Sequence, residues 1–89
     1  MKLQVYAVYD KAVSAFLQPF FARSAGEAIR SFGELARDNN TNVGRHPTDF
    51  LLFGLGEYDD ATGLFHCQEP MRMLSASEML GQVEGAANV

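Results

Sequence analysis

Three side chains in this sequence have the chemistry to hold a soft metal or act as a nucleophile, namely His46, His66 and Cys67. His66 and Cys67 are neighbours, so on a strand they point to opposite faces. A structural zinc site needs four converging ligands, and a cysteine nucleophile needs an oriented base and an oxyanion pocket. The spacing supplies neither arrangement. We therefore predict no metal site, no cofactor and no catalytic residue, and interpret Cys67 as a half-buried apolar side chain.

The acidic pair Asp59-Asp60 is followed by Gly63, in a segment typical of a hairpin loop. Aspartate favours turns because its carboxylate bonds its own backbone, so we predict a solvated turn in which Gly63 is left-handed. Gly54-Leu55-Gly56 lacks the strand-to-helix context of a phosphate-binding loop. It indicates instead a bulge or a close approach of another backbone. Since no enzymatic interpretation remains, we predict that the chain is not an enzyme.

Arginines recur every seven residues at Arg23, Arg30 and Arg37, a spacing that aligns Arg30 and Arg37 on one face of a helix, near Arg23. Such a stripe could contact phosphates. The alternative is a surface ion-pair ladder, because Glu27 and Glu34 are interleaved at spacings of three and four. Alternating charge is typical of a solvated face, which favours the ladder.

Aromatic side chains that could stack on nucleobases occur at Tyr6, Tyr9, Phe16 and Phe20. Packing in the core explains most of them. One amphipathic helix covers only one face of a sheet, however, so some aromatic surface has no predicted cover.

The overall composition restricts the class of protein. The 89 residues make one domain, which we assign to residues 1–80, followed by a flexible tail over residues 81–89. The net charge of −4 argues against strong non-specific DNA binding. A single cysteine excludes an intramolecular disulfide and fits a reducing cytosol. No apolar run approaches the roughly 20 residues that span a bilayer, so we expect no membrane association.

The pattern of apolar residues predicts an α+β fold, with a small antiparallel sheet in the order β-β-α-β-β and one amphipathic helix packed on one face. The helix begins at Ser24, whose spacing to Glu27 is that of a capping box, and Ser75 with Glu78 has the same spacing before a short final helix. Pro19 predicts that the second strand lies at an edge or carries a bulge, and Pro70 is expected to end the sheet. The first predicted strand is Leu3–Tyr9, in which Leu3, Val5, Ala7 and Tyr9 fall on one face. The others are Ala15–Phe21, Phe50–Tyr58 and Leu64–Cys67.

Five ordered segments between about Lys2 and Phe65 resemble the small non-structural protein of gokushovirus-like Microviridae, small phages with circular single-stranded DNA genomes. These segments are Val8-Tyr9-Asp10, Leu17-Gln18-Pro19-Phe20-Phe21, Gly26-Glu27-Ala28-Ile29-Arg30-Ser31-Phe32, His46-Pro47-Thr48-Asp49-Phe50, and Leu55-Gly56-Glu57-Tyr58-Asp59 with Thr62-Gly63-Leu64-Phe65. The resemblance implies a protein made in the infected bacterium, absent from the virion shell, and connected with the synthesis or packaging of single-stranded genomes.

From the residues and this resemblance we expect a bacteriophage protein of the host bacterial cytoplasm that binds single-stranded DNA or assists the synthesis or packaging of the single-stranded genome. The alternative is an adaptor that engages a viral or host protein through a sheet edge or an aromatic patch. We also expect a homo-oligomer, a dimer or larger, because one helix leaves a sheet face uncovered. The candidate nucleic-acid-binding residues are Lys11, Arg23, Arg30, Arg45, Tyr6 and Phe20.

Overall fold

The computed structural model describes residues 1–81 and shows an α+β fold built on one antiparallel sheet. Its strands are β1 (Lys2–Asp10), β2 (Ala15–Phe16), β3 (Phe20–Ala22), β4 (Phe50–Asp59) and β5 (Leu64–Ser75). β1 is central, with β4 on one side and both β2 and β3 on the other, and β5 lies beyond β4. The predicted fold class is confirmed.

The second predicted strand is split in two. β2 and β3 pair in succession with the same side of β1, and residues 17–19 between them are not strand. Pro19 has no amide hydrogen to donate to a ladder, which explains why the break includes it. Both strands lie at the edge of the sheet, which confirms the predicted edge position of this segment.

Helix α1 (Ala25–Ala36) begins at Ser24, whose Oγ accepts a hydrogen bond of 3.2 Å from the Glu27 amide. Glu27 does not return the bond to Ser24, as a full capping box would. Its Oε1 accepts from the Arg23 amide at 3.1 Å instead. The buried side chains of α1 pack on the sheet through Ala28, Phe32 and Ala36.

The segment between α1 and β4 is more ordered than the sequence indicates. A short helix, α2 (Asn42–Arg45), is capped by Thr41, and a 3-10 turn over Pro47–Asp49 leads into β4. Val43 of α2 is buried in the core with 5% of its surface exposed. This segment therefore extends the helical layer over the sheet.

Pro70 does not end the sheet, contrary to expectation, because β5 continues to Ser75. Cys67 pairs with Gly56 and Met71 with Gly54, so residues 68–70 lie opposite Leu55 alone. A proline is tolerated in such an irregular stretch, where no ladder hydrogen bond is required of it.

A last helix, α3, begins at residue 76 and reaches residue 81, the end of the described part. The Oγ of Ser75 accepts from the Glu78 amide at 3.0 Å, and Glu78 Oε1 accepts from the Ser75 amide at 2.7 Å. This reciprocal pair is the predicted capping box. The proposed tail falls, from residue 82 on, outside the described residues.

Candidate functional site

The two faces of the sheet differ in what covers them. One face, which we call the covered face, packs against the helices. Its residues form a single core with Phe32 of α1, Val43 of α2 and Ala76 of α3. The buried sheet residues of this core are Tyr6, Val8, Ala22, Phe50 and Leu52, and Phe20, Met73 and Leu74 are partly buried against it.

The opposite face, which we call the open face, is built from the residues that alternate with the covered set. Cross-strand partners lie on the same side of a sheet, so the register identifies its members. They are Leu3, Val5, Ala7, Tyr9, Phe16, Phe21, Leu51, Phe53, Gly56, Tyr58, Phe65, Cys67, Arg72 and Ser75. The predicted alternation of β1, with Leu3, Val5, Ala7 and Tyr9 on one side, is confirmed.

Six aromatic rings on the open face form two groups of three. In the first triad, Tyr9, Phe16 and Phe53, the ring centroids are 4.9, 5.3 and 6.0 Å apart and the rings meet edge to face. In the second triad, Phe21, Tyr58 and Phe65, the distances are 4.7, 5.4 and 6.2 Å and the rings are tilted. These separations are within the range of favourable aromatic pairing.

The triads shield the middle of the open face while remaining partly exposed themselves. Val5 and Ala7 keep only 3% and 1% of their surface, because larger side chains on neighbouring strands cover them. Phe16, Phe21 and Phe65, in contrast, are 43%, 47% and 57% exposed. The open face therefore presents large apolar rings to solvent above a packed layer of small side chains.

Two of the predicted stacking residues lie on the covered face. Tyr6 is 5% exposed, and its burial raises the pKa of its hydroxyl above the usual value. Phe20 is partly buried and its ring centroid lies 5.9 Å from that of Tyr6. Both rings pack under the helical layer and are not presented with the two triads.

The four predicted basic residues are all exposed, but they occupy different parts of the surface. Lys11 follows β1, two residues after Tyr9, and Arg23 follows β3, two residues after Phe21. Each therefore lies at the margin of the open face, beside one triad. Arg30 and Arg45 belong to the helical layer, away from the exposed rings.

One ion pair of the predicted ladder is formed on α1, between Arg30 and Glu34. Arg30 Nε lies 3.7 Å from Glu34 Oε1, and both side chains are largely exposed. Glu27 uses its carboxylate on the Arg23 backbone, as described above, and Arg45 donates to Asn42 Oδ1 at 3.0 Å. An exposed ion pair of this kind contributes at most about 1 kcal/mol, so Arg30 remains available to other anions.

The open face also carries one cation that the sequence analysis did not identify. Arg72 pairs with Phe53 across β4 and β5, and its Nη2 donates to Glu78 Oε1 at 2.8 Å. Phe21, Phe53, Tyr58 and Phe65 were likewise not singled out. The alternation of the second predicted strand would have placed Phe21 opposite Phe20, but the other residues depend on the pairing of distant strands.

Cys67 and the histidines do not converge on a site. Cys67 is exposed, which corrects the expectation of a half-buried side chain. It pairs with Gly56, whereas His66 pairs with Glu57 on the other side of the sheet. Among residues 1–81, no three side chains of the metal-binding types lie together.

In the same part of the chain, no helix has the length and apolar character to cross a bilayer.

Residues 3–79 match a family model described as Phage ORF5 protein. This match spans the sheet, the helices α1 and α2 and most of the described part of α3. No curated protein and no solved structure matches the chain.

Proposed function

The chain belongs to the Phage ORF5 protein family, and from this premise we propose that it binds single-stranded DNA through the open face of its sheet. In this proposal it is a non-structural protein of gokushovirus-like Microviridae and acts in the host cytoplasm. Its role is to assist the synthesis or packaging of single-stranded genomes, by binding and not by catalysis.

The observation that carries this proposal is the exposure of Phe16, Phe21 and Phe65 on an uncovered sheet face. Single-stranded nucleic acids bind to such platforms because every base has a π-face. Each stacked base contributes about 1–3 kcal/mol. A duplex hides its base faces, so the same surface favours single strands.

The distribution of charge supports a mode of binding in which stacking dominates. The chain carries a net charge of −4, so it has no bulk attraction for a polyanion. Lys11 and Arg23 nevertheless lie at the margins of the two triads, where a phosphate chain crossing the rings would pass. With two or three phosphates neutralised, we expect weak binding with a salt slope of about −1.4 to −2.1.

The proposal is tested by titrating the protein against fluorescently labelled single-stranded and duplex oligonucleotides and measuring anisotropy. Phe21→Ala with Phe65→Ala removes two exposed rings of the second triad and should weaken binding at least tenfold, given about 1–3 kcal/mol per stacked base. Leu35→Ala is the matched control, since Leu35 is an exposed apolar residue of α1, 41% exposed, on the other layer. It should bind like the unaltered protein.

The second candidate function is a protein–protein adaptor that uses the same open face. The observation that favours it is chemical: apart from Arg72, the members of the open face are uncharged. An exposed apolar patch of this kind is typical of protein interfaces. If micromolar protein fails to bind single-stranded DNA at about 50 mM salt, where phosphate contacts are strong, the adaptor replaces the DNA-binding proposal.

A further inference from the structure

The outer edge of β5 is open over the part of the strand that precedes its irregular stretch. Within residues 1–81, β5 is the last strand of the sheet and pairs with β4 only. Residues 64–67 follow a regular register with β4, and residues 61–70 are all exposed. The amide and carbonyl groups that face away from β4 here are a template for another strand.

The two edges of the sheet differ in how they are protected. On the opposite side, the break at residues 17–19 and Pro19 interrupt the edge formed by β2 and β3. Such interruptions are among the devices by which proteins prevent edge pairing. The segment Leu64-Phe65-His66-Cys67-Gln68 contains no proline, aspartate, glutamate, lysine or arginine. Glu69 and Pro70 follow it and limit the pairing to this segment.

We propose that this edge pairs antiparallel with the same edge of a second copy of the chain, so that two sheets join into one. Two copies of an acidic protein repel each other, with a charge of −4 each. The five-residue segment lets them meet without placing like charges opposite one another. A two-fold axis midway between the two His66 residues gives both copies the same contacts, as a closed dimer requires.

The geometry of that axis fixes which residues meet. In an antiparallel pair, directly opposite residues lie on the same side of the sheet. A two-fold axis perpendicular to the sheet at His66 places His66 opposite the His66 of the second copy, and Phe65 opposite its Cys67. The two open faces then lie on the same side. Each Phe65 ring, 57% exposed in one chain, gains a neighbour across the junction.

This inference is independent of what the open face binds. The paired edge leaves Phe16 and Phe21 uncovered, since they lie on the far side of β1 from β4 and β5. If the open face does bind single-stranded DNA, the joined sheet offers two connected sites. The apparent affinity for a long strand would then exceed that for a short one, without any new contact.

The test is the mass of the protein in solution, measured by light scattering after size-exclusion chromatography over a range of concentrations. We expect twice the 9.8 kDa of one chain at micromolar concentration. His66→Lys should shift the mass to that of a monomer, because it places two positive charges directly opposite each other. Ser31→Lys is the matched control: it adds the same charge at an exposed position of α1 and should leave the dimer intact.

A second variant tests the register and does not depend on weakening the dimer. In Phe65→Cys, the new thiol lies opposite Cys67 of the second copy, where cross-strand Cβ atoms are about 4.5–5.5 Å apart. Mild oxidation should give a covalent dimer that a reductant reverses. A monomeric unaltered protein overturns the proposal. So does a dimer that persists in His66→Lys and dissociates when Phe16 and Phe21 are changed to alanine, since that result assigns the interface to the open face.

Discussion

Phe53 and Tyr58 lie on the same face of the sheet, although five positions separate them along β4. In a regular strand, residues an odd number apart point to opposite sides. Between them, the register of β4 against β1 shifts, and Leu55 has no partner in β1. The extra residue reverses the side of the sheet to which the following side chains of β4 point, so Tyr58 lies on the same side as Phe53. Each residue thereby completes one of the two triads on the open face.

Gly56 is the residue of this bulge that is least able to accept a side chain. Its φ is +146°, and a Cβ there would lie 2.6 Å from the Cα of Cys67 and closer still to the His66 carbonyl oxygen. Since backbone atoms cannot move aside cheaply, Gly56→Ala should destabilise the protein by more than about 1 kcal/mol. We expect the melting temperature to fall by at least about 4–8 °C.

Gly54→Ala is the matched control for that change. A Cβ at Gly54 would find its nearest neighbour, the Sδ of Met73, at 3.7 Å, which is an ordinary contact. Its melting temperature should stay close to that of the unaltered protein. Equal losses in the two variants would mean that the bulge does not depend on Gly56.

The parts of this fold that were predicted correctly depend on short-range patterns. The Ser75–Glu78 capping box needs only residues three positions apart, and the alternation in β1 needs only a regular strand. The open face could not be predicted in full, because its membership depends on register. The shift at Leu55 places Tyr58 on the same side of the sheet as Phe53. The irregular stretch of β5 over residues 68–70 likewise places Arg72 on the same side as Phe65. No local pattern shows how far one strand slips against another.

Gly63 closes the hairpin between β4 and β5 with a φ of +76°, as predicted. Apart from its two chain neighbours, no atom of residues 1–81 lies within 4 Å of a Cβ built there, so the effect of a substitution is conformational. A β-branched side chain resists this region, and Gly63→Val should cost about 1–2 kcal/mol of stability. Gly63→Asn should cost less, because asparagine tolerates the left-handed conformation. If the melting temperatures of both variants equal that of the unaltered protein, this account of the turn is wrong.

The cap of α3 should make stability depend on pH. The pKa of Glu78 is lowered from its ordinary value of 4.5, first by the hydrogen bond from the Ser75 amide and then by that from Arg72. A carboxylate with a lower pKa in the folded state stabilises the protein above its unfolded pKa. That contribution is lost as the pH falls through the folded value. As the pH is lowered below about 4.5, we therefore expect the melting temperature of Glu78→Gln to fall less than that of the unaltered protein.

Glu69→Gln is the control for the removal of one carboxylate, since Glu69 lies at an exposed position of β5. Its melting temperature should follow the unaltered protein through the acid range. If Glu78→Gln does so as well, the capping box makes no measurable contribution to stability, and α3 is held by the packing of Ala76, Met79 and Leu80 against the core.

The last prediction separates the two groups of cations by their effect on DNA binding. Lys11 and Arg23 lie beside the triads of the open face, whereas Arg30 and Arg45 lie in the helical layer. Each phosphate contact on a single strand contributes about 0.7 to the slope of log K against log salt, so Lys11→Gln with Arg23→Gln should flatten it by about 1.4. Arg30→Gln with Arg45→Gln removes the same charge and should leave the slope unchanged. Anisotropy titrations over a salt series measure both. If the variant at Arg30 and Arg45 flattens the slope and the variant at Lys11 and Arg23 does not, the DNA lies over the helical layer. The open face is then left to a protein partner.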